Sequence, residues 1–179
     1  MSDSVSANWV DRLREEFDLS FQRAHQSNSQ HSIEALSLSV GQDLQPYLLR
    51  VDALSLLQRM PAVRPLPGAA DSVLGLSLLR GRVVTVFCLA RLLGRPASDS
   101  PARIVGVGAE LDYALAFAEL TALRRIDADA IRPAGSQSSP HIRQALIEHE
   151  HSIPLIDLES ISNHLGQASP AHPLRERQP

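Results

Sequence analysis

His149 and His151 stand two positions apart. On a strand, residues at i and i+2 share a face, so this pair could offer two imidazoles to one metal ion. No nearby His, Cys or Asp spacing supplies a clear third ligand, and the pair falls in an expected turn. A metal site is therefore not expected. Gly106-Val107-Gly108 comes after an apolar run and hints at a dinucleotide fingerprint. The position of its third glycine holds Leu111, and the residues beyond it are strand-like, so that reading is rejected. Ser77 lies between Gly75 and Leu79 and lacks the second glycine of a nucleophile elbow. All 17 basic residues are Arg. Without Lys there is no Schiff base, no Ser-Lys dyad and no P-loop lysine. Arg124-Arg125 is too small a basic patch for nucleic acid and has no aromatic neighbour for base stacking. No catalytic residues and no cofactor are expected. The surviving enzymatic rival is a small β-barrel enzyme using His149, His151 or Asp157. The one side chain that stands out is Arg80, a forked cation in a short turn, of the kind enriched at interface hot spots.

The elements that carry these residues centre on Val73–Gly94. Two apolar runs, Val73–Leu79 and Val83–Leu89, flank Arg80-Gly81-Arg82, and the glycine suits a tight hairpin. Leu89, Leu92 and Leu93 then switch to helical spacing, and Gly94 ends that turn. The pattern recurs later in the chain. Val84–Leu89 aligns with Ile153–Leu158, and each copy runs on to a Leu-Gly pair, Leu93-Gly94 and Leu165-Gly166. Two related β modules are expected.

Around that unit the chain is a series of short strands. Ile33–Val40 alternates, Tyr47–Val51 comes after Pro46, and Leu54–Gln58 is a third short apolar piece. Pro61, Pro65, Pro67 and Gly68 mark an extended connection. Arg95–Ala102 reads as a loop and module boundary. Arg103–Gly108 pairs with Tyr113–Ala118, Leu123–Ile126 is another strand, and Ile142–Glu148 pairs with Ser152–Ile156. Asp157 is placed to cap a closing helix. Ahead of the strands, Ala7–Ala24 is an amphipathic helix with Trp9, Leu13 and Phe17 along one face, ready to dock on the chain's own body or on a partner. Such a pattern argues for a mainly β sandwich or barrel.

Composition sets the outer bounds. At 179 residues the chain fits one domain or two small modules. The 17 basic and 20 acidic residues leave a charge of −3, with no general attraction to nucleic acid or anionic membrane. Cys88 sits alone in an apolar run, which suits a buried thiol in a reducing compartment. Residues 1–8 lack the pattern of a signal peptide, and no run approaches a membrane span.

The central block resembles the CheW-like domain family of bacterial chemotaxis, on Gly75, Leu79, Arg80, Gly81, Val83, Val84, Val86, Leu89, Leu92, Leu93 and Gly94. Tyr47, Val51, Leu54–Leu57, Pro65-Leu66-Pro67-Gly68 and Ile153–Leu158 extend the likeness over residues 33–165. The sequence departs from the family pattern at four places. The usual acidic residue is Leu56, the Asn before Leu-Arg-Gly is Leu78, and a Pro and an Asp are Thr85 and Cys88. The resemblance implies two small SH3-like five-stranded barrel subdomains over residues 33–165; the residue pattern places a helix and linker before them (1–32) and a polar, proline-containing disordered tail after them (166–179). The resemblance also implies a non-enzymatic, cytoplasmic adaptor that couples chemoreceptor cytoplasmic tips to the regulatory domain of a CheA-type histidine kinase. Association with receptor arrays would then come through those partners, without membrane insertion. Arg80, Gly75, Gly81 and Leu56 are the expected partner-binding residues, with Trp9, Leu13 and Phe17 as a further docking element. The alternative is localisation or assembly of a chemosensory array without kinase coupling.

Overall fold

The structure is a computed structural model that describes residues 32–98, 100–135, 139–148 and 151–168. Trp9, Leu13, Phe17, His149 and the tail from residue 169 lie outside the described residues. The described chain is mainly β. Its elements are β1 (Ser32–Val40), β2 (Gln45–Arg50), β3 (Leu54–Arg59), β4 (Val73–Leu79), β5 (Arg82–Cys88), α1 (Leu89–Leu92), β6 (Arg103–Val107), β7 (Tyr113–Phe117), β8 (Glu119–Asp127), β9 (Ile131–Pro133), β10 (Ile142–Glu148), β11 (His151–Ile156) and α2 (Leu158–Ala168). No helix among the described residues is long and apolar enough to cross a membrane.

The strands form two sheets. One has the order β8-β1-β2-β11-β10-β9 and the other β3-β6-β7-β5-β4. Each closes on itself because one bent segment supplies both of its borders. In the first, β8 passes through a single 3-10 turn, Ala128–Ala130, into β9, which pairs with β10. In the second, the chain leaving β3 reaches Arg64, which exchanges two backbone hydrogen bonds with Leu76 of β4, at 2.8 and 2.9 Å. Closure removes the unpaired borders at which open sheets aggregate.

The two barrels are copies of one plan. Hairpins β4–β5 and β10–β11 match residue for residue, Leu79↔Arg82 with Glu148↔His151 and Gly75↔Val86 with Gln144↔Leu155. Both carry a bulge at the same place, after Val73 and after Ile142. In each the second hairpin strand also pairs in parallel, β5 with β7 and β11 with β2, and then enters a helix. The repeat read from sequence is therefore a repeat of structure. The boundary expected at Arg95–Ala102 is not one. β6 and β7 beyond that loop pair with β3 and β5, so the second barrel runs unbroken from Leu54 to Phe117. It is inserted between β2 and β8 of the first. A parallel pair such as β5–β7 leaves no local turn signal, which is why the loop reads as a border in the sequence.

Side-chain alternation explains the packing. Along β7, Ala114 and Ala116 fill the second barrel with Leu79, Val84, Val86 and Ile104. Tyr113, Leu115 and Phe117 point the other way, into a larger core between the barrels. There they meet Leu36, Leu38, Val40, Tyr47 and Leu49 of β1 and β2, together with Leu89 of α1 and Ile161 of α2. Ala35, Leu48, Ile126, Leu146 and Leu155 fill the first barrel. Asp157 caps α2 as expected, accepting from the Ser160 N–H at 3.0 Å. The helix then runs through Gly166 to Ala168 and does not stop at the Leu-Gly pair. The three residues 166–168, expected in a disordered tail, are its last turn. One Gly in a final turn costs only about 1 kcal/mol.

Gly75 sits at the β4 bulge with φ +141°, beneath the Arg64 bridge. A Cβ there would lie 2.6 Å from the Arg64 carbonyl carbon and 2.9 Å from Val63 Cγ1. Gly75→Ala is expected to lower stability by about 2–3 kcal/mol or more, through backbone strain and loss of the closing bridge. Denaturant midpoints measure this, with Gly135→Ala, which meets nothing within 4 Å, staying near wild type.

Candidate interaction surface

Arg80 and Gly81 are the two central residues of the β4–β5 turn, with φ +49° and +78°. Positive φ at both positions is the type I′ pattern, whose twist suits a hairpin. Arg82, expected in the break, instead begins β5 opposite Leu79 and pairs with Glu110 at 2.7 Å. Gly81 would meet nothing with an added Cβ, so its requirement is conformational. Arg80 is exposed and has no ion pair among the described residues. The turn projects this cation clear of the barrel.

The other expected partner residues lie deeper. Gly75 is buried under the closing bridge. Leu56 is half-buried on β3 opposite Gly106 and packs toward the interior of the second barrel. Sequence reasoning missed what flanks Arg80. Leu78 and Val83 face each other across the hairpin and are 67% and 71% exposed. They form an aliphatic pair in water one residue from each side of the Leu79–Arg82 turn. The signal was present, since Leu78 replaces a family Asn, but Val83 was hidden in a continuous apolar run.

The residues with chemical potential are held in structural roles. Asp157 caps α2 and pairs with Arg143 at 3.1 Å. His151 is exposed at the start of β11, and its candidate co-ligand His149 lies outside the described residues. Among the described residues no three His, Cys, Asp or Glu side chains cluster to hold a metal. Cys88 is buried, as expected. Sequence reasoning gave no role to His141, which is buried between β10 and α2. Its Nδ1 lies 3.0 Å from Ser160 Oγ, and its ring meets His164 edge-on at 5.3 Å. Burial first, and the neighbouring His164 second, push its pKa below the ordinary histidine value, against a smaller opposing pull from Asp157. It sits on the wall of a groove of about 990 Å³ between the Gly94 turn and α2, which Arg91, Arg95, Arg143 and His164 also line.

The family profile described as CheW-like domain matches residues 34–166. No curated protein sequence matches the chain. Among solved structures, the crystal structure of the scaffolding protein TtCheW from Thermoanaerobacter tengcongensis is similar at a TM-score of 0.61 and 16% identity. That match covers 69% of this chain and 88% of the other.

A histidine whose folded pKa is depressed stays neutral while the unfolded chain takes up a proton. Its contribution to stability is therefore complete above about pH 6.5 and is lost as pH falls from there toward the folded pKa. Unfolding midpoints of wild type and His141→Gln should converge over that interval, whereas parallel curves would mean that His141 titrates normally.

Proposed function

This chain belongs to the CheW-like domain family, and from that premise we propose that it is a non-enzymatic adaptor coupling chemoreceptors to a CheA-type histidine kinase. Its partners are the kinase's regulatory domain and the receptor's cytoplasmic tip. The observation that carries the reading is the exposed β4–β5 hairpin, where Arg80 projects beside Leu78 and Val83. Covering an aliphatic side chain of this size is worth about 1.5–3 kcal/mol. A forked cation at the border of that apolar pair adds direction and selectivity for a carboxylate. Gly75 and Gly81 serve the surface by shaping the hairpin, and Leu56 supports it from beneath.

A second reading is array assembly or localisation without kinase coupling. The loss of the family's polar residues at Leu56, Leu78 and Cys88 favours it. In particular, Leu78 puts an aliphatic group where the family presents an amide.

Titration against the kinase's regulatory domain and, separately, a receptor-tip fragment decides between them. Under the coupling reading both bind, and Arg80→Ala or Leu78→Asp weakens at least one about tenfold or more, equivalent to about 1.4 kcal/mol. Thermal unfolding of these variants should stay near wild type, because both side chains are exposed. Binding of the receptor fragment alone selects the second reading. Absence of binding to either at about 100 μM, where contacts of only −5 to −6 kcal/mol still register, removes both.

A further inference from the structure

The repeat places exposed aliphatic residues at equivalent positions on the two barrels. Leu78 corresponds to Ile147 through the matching hairpins. Leu57 corresponds to Leu123, since Leu57 pairs with Val105 and Leu123 with Leu36, and these partners in turn face Leu115 and Leu49. On the first barrel Leu123 is 65% exposed and Ile147 45%. Their chain neighbours Arg124 and Glu148 form an ion pair between β8 and β10, so the two aliphatic residues flank one seam. Arg125 is paired with Glu34 at 3.1 Å. On the face of Leu123 the neighbouring charges Arg125 and Glu34 are thus paired with each other, and what the patch offers an occupant is apolar area.

We propose that the occupant is the chain's own segment Trp9–Phe21, laid with Trp9, Leu13 and Phe17 across Leu123 and Ile147. Chain geometry argues for this over a second copy or a partner. The segment leads into β1 at Ser32, which pairs with Asp127 of β8, and Leu123 lies four residues earlier on that same strand. The ten residues 22–31 span up to about 33 Å when extended, ample to return over the outer face of β8. A tether of that length holds the segment at roughly millimolar effective concentration, which a second copy does not match in dilute solution. As a helix, Trp9 to Phe17 is an apolar ridge about 12 Å long. Docking covers the patch on the first barrel and leaves the equivalent patch on the second, Leu57, Leu78 and Val83, free for partners.

Trp9 is the chain's sole tryptophan, so its fluorescence reads the contact directly. In the dilute full-length protein its emission should lie to the blue of the denatured chain and be shielded from acrylamide. Leu123→Lys, Ile147→Lys and Leu13→Lys should each shift it to the red and raise quenching, with circular dichroism showing the barrels intact. Leu78→Lys should leave it unchanged. A Trp9 signal already solvent-like in the folded wild type overturns the proposal. So does a blue shift that responds to Leu78→Lys and not to Leu123→Lys, which would put the segment on the other barrel. A blue shift that fades on dilution would assign the patch to a second copy and overturns it equally.

Discussion

Everything in this molecule depends on the apolar layer between the two barrels. Each barrel alone has a small interior, filled mostly by Leu, Ile and Val with a few alanines, to which β1, β2, β6 and β7 each turn one side. The other side of those strands carries the larger side chains, among them Leu38, Leu49, Leu115 and Phe117, and it is buried only when the barrels meet. At about 25 cal/mol per Å² of apolar surface, that layer outweighs what either interior supplies. The barrels are thus sealed against each other along one shared layer. α1 and α2 come after equivalent strands and both press into the same layer, so the repeat extends to how the halves are sealed.

The same arrangement explains where binding surfaces can be. One side of each central strand is committed to the shared layer, and the sheet ends are drawn together by the β9–β10 pairs and the Arg64–Leu76 bridge. What remains is the outer face of each hairpin and the seam beside it. There the second barrel shows Leu78 and Val83 beside a turn whose two positive φ values lift Arg80 into water. Gly75 contributes from below. Because it carries no side chain, the Arg64 strand can cross directly over β4, and the hairpin is anchored at its base while its tip stays open.

Much of this is legible in the residues. The hairpin, the short helix after it, the cap at Asp157 and the alignment of Val84–Leu89 with Ile153–Leu158 come from local pattern and reappear in register. Local pattern cannot show the parallel pairs β5–β7 and β2–β11, so it places a boundary inside a continuous barrel. β9 is three residues with no periodicity of its own. Nor can pattern separate inner from outer residues in a run such as Arg82–Cys88, where Val84 and Val86 are buried and Val83 is exposed. Exposure there is decided by which side lines the barrel's own interior, a property of the assembled fold. His141 is invisible for the same reason, since its partners stand on a helix that begins seventeen residues later.

The insertion of one barrel inside the other has a consequence for synthesis. The second barrel draws every strand from Leu54–Phe117 and can close as soon as that stretch has left the ribosome. The first cannot. Its opening strands β1 and β2 emerge first, yet β2 has no parallel neighbour until β11 is made near the other end of the chain. For most of translation the apolar side of β1 and β2 can be shielded only by the barrel that interrupts them. The inserted barrel is thus positioned to be a folding template for the one that encloses it in sequence, and pairing β2 with β11 closes a long loop at an entropic cost that grows with its length.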